Sequence, residues 1–334
     1  MTELSPEFSA AFLARAGARR QLRFDAFVDL ALYDPRVGYY RRERARVGYG
    51  PGTDFFTAST SGPVFGELIA AAAIQLLGGE DPRAYTFIEV GAESEGGILR
   101  GVSHPFGAAR TIRVGETLEV DSRSVLFSNE LLDAQPFRRV RFLEGVWQEL
   151  GVEWHDGKLR ECLFGAFDPP SSGPVPALPA SVATGYTVDL PLAAARMTDL
   201  LVRGHWTGLF LAFDYGKSWR ELVEAAPAGT ARAYHRHQQS NDLLAQPGEQ
   251  DLTCHVCWDW ISAALQTHGF HDITLETQES FFVRHAEAYL APAIAADAGR
   301  LTPRKQSLLQ LLHGGHLGQK FQVVWGRREG RERG

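Results

Sequence analysis

The chain has 334 residues, 44% hydrophobic and 22% charged, with a formal net charge of −6. That length fills one sizeable core plus a smaller lobe, since single cores stop growing at roughly 250–300 residues, and the net acidity excludes a broadly basic surface, so no nucleic-acid partner is expected. Three cysteines are too few for a disulfide framework and suit a reducing compartment. No membrane span is expected, because the apolar stretch from Ile69 to Leu77 is short and bordered by Glu67 and Gly78. Glu3 and Glu7 interrupt any signal-peptide pattern, which leaves a soluble, cytoplasmic protein as the expectation.

In chain order, Phe8, Phe12 and Leu13 predict an amphipathic first helix. A second helix runs from Phe24 to Leu32 and ends at Tyr33-Asp34-Pro35, because the residue before proline disfavours helix. Residues 48–52 are glycine-rich and predict an ordered loop leading into Asp54-Phe55-Phe56-Thr57. Pro63 to Leu77 reads as a buried helix rich in Ala and Leu. The β-branched and aromatic run Tyr85 to Val90 predicts a central parallel strand, followed by a glycine loop and a helix. Strands are also expected at Thr111 to Val120 and Val125 to Ser128, and a hairpin around Glu144-Gly145 within 139–154. The proline-rich piece from Asp168 to Pro179 marks a loop and the expected seam. Beyond it come a helix at 190–203, a strand at 207–214, a helix at 258–268, helices at 289–297 and 303–313, and a closing strand at 321–325. Strands alternating with helices imply an α/β fold, a mostly parallel sheet with helices on both sides.

Glu89-Val90-Gly91 ends the central strand with an acid and a glycine, a form that brings backbone N–H groups and a carboxylate to a nucleotide-like ligand. Many strands end in glycine, so this element alone decides little. Asp214-Tyr215-Gly216 likewise puts polar groups at the carboxyl end of a strand, as a ligand contact or as a capped turn. Cys254-His255-Val256-Cys257, with His235 and His237, raises a zinc or redox site. A single C-x-x-C without a firm second ligand pair does not carry it, and no metal is expected.

The segments FDAFVDLALYDPRVGYY, TDFFTAS, GPVFGELIA, FIEVG, SNELLDAQPF, FDYG, DLTCHV and LGQKFQVVWG, in this order from about Leu22 to Trp325, resemble the MidA family. That family includes the mitochondrial assembly factor that methylates an arginine of a respiratory complex I subunit. The resemblance implies a seven-stranded, Rossmann-like class I methyltransferase core at 81–334, with an N-terminal helical extension at 1–80 and a smaller lobe inserted around 220–315. It also implies S-adenosylmethionine as methyl donor and a protein arginine as acceptor, with a respiratory-complex subunit as the partner type. A homodimer is left open by the apolar late lobe. On this chain the implied catalytic positions are Asn129, Glu130, Asp133 and His255. A carboxylate at the SNELLDAQP segment can hold a guanidinium by paired hydrogen bonds, whereas the plainer role for Asn129 and Glu130 is to cap a helix starting there. His255 either accepts a proton or orients Asp214 or Asp251. The implied donor contacts are Glu89, Gly91, Gly96, Gly97, Glu116 and Thr57, and the implied substrate contacts are Asp214, Tyr215 and Asp251.

Two departures stand out. The family loop E-[LI]-G-P-G-x-G-T-L is here Glu89-Val90-Gly91-Ala92-Glu93-Ser94-Glu95-Gly96-Gly97-Ile98-Leu99, without the middle glycine and with two added carboxylates. The segment between Glu89 and Asn129 is also short for the family, leaving Glu116 as the candidate ribose acid. A second reading follows from both departures: a catalytically inactive relative that keeps the fold and acts as a protein-binding or assembly factor.

Overall fold

The computed structural model describes residues 4–42, 62–93, 96–315 and 317–330. The expected loop at 48–52 and the segment 54–57, Thr57 included, lie outside the described residues. Two compact units interleave along the chain. The first is drawn from residues within 1–55, Leu132–Met197 and Lys217–Ile261, and the second from residues within 56–131, Thr198–Gly216 and 262–334. The boundary expected near residue 80 falls inside the second unit, and the stretch 220–315 expected as an inserted lobe is divided at Ile261. The reason is packing, because the helix Pro63–Leu76 shares one apolar core with the strands that follow it. Among the described residues no helix is long and apolar enough to cross a membrane.

In the second unit a six-stranded sheet runs in the order Ala108–Ile112, Thr86–Val90, Arg123–Asn129, Thr207–Asp214, Gln322–Arg328, His271–Thr277. The first four strands are mutually parallel. Gln322–Arg328, last in the chain, is inserted antiparallel between Thr207–Asp214 and His271–Thr277. The α/β, mostly parallel arrangement is as expected, but among the described residues the sheet has six strands rather than seven. The short connection accounts for this: between Val90 and Arg123 the described residues make only the 3-10 turn Gly97–Leu99 and the strand Ala108–Ile112. Among the described residues no α-helix follows the glycine loop. The strand expected to reach Val120 stops at Ile112, because the chain turns at Arg113–Glu116 through Gly115 at φ 88°.

Arg123–Asn129 and Thr207–Asp214 are buried along most of their length, as central strands covered on both faces must be. Alternate residues point to opposite faces. Phe87, Val125, Phe127, Leu209, Leu211, Phe213 and Val323 meet the helices Pro63–Leu76, Gln278–His285, Glu287–Ala296 and Pro303–Leu312 in one core. Phe65 stands edge-on to Phe127, Phe213 and Phe282 at centroid distances of 6.2, 5.8 and 6.1 Å. Such pairs add about 0.5–1.5 kcal/mol each beyond the area they bury. Elsewhere in this unit Trp206 meets Phe270 at 5.3 Å, and the Arg328 guanidinium lies 4.7 Å from both rings. Arg328 also donates to the carbonyls of Trp206, Val202 and Gly204 at 2.7 Å and of His268 at 3.2 Å, fastening the chain that leads into Thr207–Asp214.

The first unit carries an antiparallel sheet of Gln21–Arg23, Val146–His155, Arg138–Leu143 and Thr187–Leu190, with Lys158–Ala166 paired to Val146–His155. The predicted hairpin is present: Glu144 and Gly145 adopt φ 50° and 84°, the left-handed pair that a two-residue turn between twisted strands requires. Asp156-Gly157 repeats the device before Lys158–Ala166. The proline-rich loop 168–179 lies inside this unit and is no seam between the units. Trp147 and Trp219 donate their indole N–H groups to Pro179 O and Ala177 O and tie it down. Helices Pro6–Ala16 and Phe24–Tyr33 pack on the sheet through Phe8, Phe12, Phe24 and Phe27, with Phe24 at 5.6 Å from Phe137. A small antiparallel sheet with Arg232–His235 between Gln238–Ser240 and Asp251–Thr253 also belongs to the unit.

Candidate functional site

Within the parallel part of the second unit's sheet the chain order reverses once. From Thr86–Val90 the chain moves outward to Ala108–Ile112, then crosses back to Arg123–Asn129 on the other side. In open α/β sheets ligands bind outside the carboxyl ends of the strands at such a reversal. Val90 pairs with Ser128, so Gly91 and Asn129 leave the sheet side by side there.

Gly91 is left-handed at φ 81°, and a Cβ on it would lie 2.8 Å from Leu131 Cδ1. The left-handed backbone favours glycine, while the contact is with a terminal methyl that can turn aside. Asn129 directs its Nδ2 to Glu130 Oε1 at 3.0 Å, while its Oδ1 is buried without a partner. Glu130 holds φ 51°, unusual for a residue with a side chain, and its N–H donates to Phe213 O at 2.9 Å. No helix begins at Asn129 or Glu130, so the capping role is corrected: the chain goes on as an irregular turn. Asp214, 1% exposed, accepts from the Tyr215 N–H at 2.8 Å, and the Tyr215 ring lies 4.0 Å from that of Phe321. These groups share the carboxyl edge of the sheet with Gly91.

Glu89 is 8% exposed and accepts from the Ile98 N–H at 2.7 Å through Oε2. Burial pushes its carboxyl up to about 7, against the weaker opposing pull of the Ile98 hydrogen bond. Gly96 and Gly97 are left-handed at φ 82° and 54°, and a Cβ on Gly97 would overlap Glu89 Oε2. On the far side of the turn, a Cβ on Gly66 of the helix Pro63–Leu76 would overlap Ile98 O. Ile98 and Gly66 were not singled out from the sequence. The available signal was a glycine inside an otherwise strong helix, which costs roughly 1 kcal/mol against alanine and therefore implies a packing reason. Ser94 and Glu95 lie outside the described residues. Glu116 sits in the exposed turn after Ala108–Ile112, its Oε2 accepting from the Arg113 N–H at 2.7 Å.

The remaining sequence candidates belong to the first unit. Asp133 is buried, and its carbonyl accepts from the Cys254 N–H at 2.9 Å. Asp251 accepts from Tyr40 Oη at 3.0 Å and from the Leu252 N–H at 2.9 Å. His255 donates its backbone N–H to Thr230 Oγ1 at 3.2 Å, and its Nδ1 is buried without a partner. Burial lowers its pKa to about 4, helped by the Lys217 and Arg232 charges and opposed by Asp189. The ring is therefore neutral at pH 7 and a weak proton acceptor. Asp189 is pinned by Arg139 Nε at 2.8 Å and by the Thr230 and Ala231 N–H groups at 2.7 and 2.8 Å, a framework rather than an open site. Burial pushes the Cys254 thiol well up and the Cys257 thiol to about 12, the reverse of what a thiolate ligand or redox nucleophile needs.

A family model described as "Putative S-adenosyl-L-methionine-dependent methyltransferase" matches residues 111–274. A Drosophila melanogaster protein, "Protein arginine methyltransferase NDUFAF7 homolog, mitochondrial", is 28% identical over 152 residues. The family model takes in just under half of this chain. The Drosophila match takes in 44% of this chain and 33% of the Drosophila protein, so the chain spans about a third of that relative's length. Two crystal structures of Burkholderia thailandensis proteins, described as COG1565 superfamily members, have a similar fold. One, bound to S-adenosyl-homocysteine, has TM-score 0.80 at 22% identity, and the other has TM-score 0.76 at 20% identity. Each alignment covers 98% of this chain and 95% of the other. The family match contains Asn129, Glu130, Asp133, Asp214, Asp251 and His255, whereas the glycine loop from Gly91 to Gly97 lies before it.

Proposed function

We propose that the protein binds S-adenosylmethionine at the carboxyl edge of the second unit's sheet and transfers its methyl group to a protein arginine. The observation that carries the reading is the Asn129 side chain, which stands at the strand reversal beside Gly91 with a buried, unpartnered Oδ1. A buried acceptor without a partner costs about 1–3 kcal/mol unless a ligand supplies the donor. The donor's ammonium and an arginine's guanidinium both carry N–H groups that fit it. Glu130 and Asp214 place carboxylates at the same edge, where they could hold a guanidinium by paired hydrogen bonds. The name of the Drosophila relative supports the arginine acceptor.

Bound S-adenosylmethionine supplies a methyl group activated by its sulfonium. The chain's part is alignment: carboxylates hold the guanidinium so that one nitrogen faces the methyl in line and the nitrogen's proton has an acceptor nearby. In-line displacement depends mainly on such positioning and on keeping water out, so a Ser/His/Asp triad is not required. A His255 held neutral at pH 7 is in keeping with that.

The test is calorimetry with S-adenosylmethionine on the wild type and on Asn129→Leu, followed by methyl transfer to arginine peptides. Binding by the wild type, weakened tenfold or more by Asn129→Leu, is expected, and no heat at millimolar donor overturns the reading. One observation favours the second reading, a non-catalytic binding or assembly protein: the glycine loop runs into a 3-10 turn and not into a helix whose N-terminus faces the ligand. Donor binding without transfer to any arginine peptide would decide for it.

A further inference from the structure

We infer that Glu89 is a positioning residue, which fixes the returning half of the glycine loop by clamping the Ile98 peptide against Gly66 and does not itself touch the methyl donor. The inference rests on the donor site proposed above and reassigns one residue of it.

The geometry is a clamp with two jaws. On one side the Ile98 N–H is held by Glu89 Oε2 at 2.7 Å. On the other, the Ile98 carbonyl lies so close to Gly66 that any Cβ there would overlap it, and the same Cβ would come within 3.1 Å of Val102 Cγ2. Ile98 cannot shift toward the helix, and moving away from it would compress the Glu89 contact. Gly97 closes the top. A side chain at that position would overlap Glu89 Oε2 and lie 2.9 Å from Thr111 Cγ2, so glycine backbone covers the carboxyl. Along the sheet Glu89 stands between Thr111 and Phe127 in the paired register.

A carboxyl in this setting has little access to a ligand but strong leverage on the loop. Gly91, just after the strand, and Gly97, at the start of the 3-10 turn, are both left-handed. The Gly97 end has no regular helix to hold it, because only the 3-10 turn Gly97–Leu99 follows. Glu89 supplies the anchor that such a helix would otherwise provide. This also accounts for glycine at both 66 and 97, one in a helix and one in a turn, as two requirements of one contact.

The experiment compares wild type, Glu89→Gln, Glu89→Ala and Gly66→Ala by S-adenosyl-homocysteine calorimetry and by hydrogen exchange of the peptide containing Ile98. Gln keeps an acceptor oxygen for the Ile98 N–H, so Glu89→Gln is expected to bind within about threefold of wild type and keep Ile98 protected. Glu89→Ala and Gly66→Ala are expected to weaken binding tenfold or more and to speed Ile98 exchange at least tenfold. If Glu89→Ala does not fold, Glu89→Asp, one methylene too short to reach Ile98, takes its place. Loss of binding in Glu89→Gln as deep as in Glu89→Ala would mean that the charge meets the ligand, and the positioning role falls. Unchanged Ile98 exchange in Glu89→Ala would also overturn it. A wild type that binds no donor defeats the proposed function instead, while the exchange data still report on the clamp.

Discussion

Glu89 makes the stability of the protein depend on pH in a direction that can be worked out beforehand. Burial raises its carboxyl from an ordinary 4.5 to about 7 in the folded chain. Below pH 4.5 the group is protonated whether the chain is folded or not, and nothing is lost. Above it the unfolded chain ionises first, so the folded state loses stability as pH rises until about 7 is passed. A gap of about 2.5 pKa units, 7 less 4.5, at 1.36 kcal/mol per unit gives about 3 kcal/mol in full. About 2 kcal/mol of that falls between pH 5 and pH 8. Glu89→Gln removes the ionisation and keeps an acceptor for Ile98. Urea unfolding of both proteins at fixed ionic strength is therefore expected to show the variant gaining about 2 kcal/mol on the wild type from pH 5 to pH 8. A stability difference that stays level, or narrows, over that range would refute the burial argument.

Three other outcomes follow from the packing. Arg328→Lys replaces a planar fork meeting four carbonyl oxygens and two aromatic rings by a point charge, and is expected to lower the unfolding free energy by about 2 kcal/mol, read by urea unfolding; an unchanged midpoint would show that the hub is idle. The His255 ring, held neutral by burial down to about pH 4, should show no NMR titration between pH 5 and 8, and a midpoint near 6.5 would contradict its buried setting. Cys254 and Cys257, both buried with raised thiol pKa values, should react with a thiol reagent at least a hundredfold more slowly in the native protein than in denaturant. Equal rates would mean that this part of the first unit opens freely.

The elements built from long apolar patterns were readable from the sequence. The strand at 207–214 falls where its uninterrupted hydrophobic run places it, and the Glu144-Gly145 turn follows from the left-handed conformations it needs. Lys158–Ala166 escaped notice because it is exposed along most of its length, so neither alternation nor an apolar run marks it. Gln21–Arg23 and Thr187–Leu190 are too short to carry a period and exist through their partners. At the site, strand-end positions such as Gly91, Asn129 and Asp214 were legible, because chain order and glycine placement locate the carboxyl edge. What Glu89 does there was not, since its partner is a backbone N–H nine residues on and its lid is the absence of a side chain at Gly97. Sequence shows a carboxylate at a strand end; only the fold shows that it is turned inward.

The most direct test of the central claim is to titrate the isotope-labelled protein with S-adenosyl-homocysteine and follow the Gly91 backbone amide and the Asn129 side-chain amide by NMR. Both are predicted to shift together and saturate at one ligand per chain, with smaller changes at Glu130 and Tyr215. Saturable binding that leaves Gly91 and Asn129 unmoved, or no change anywhere at millimolar ligand, would contradict the account.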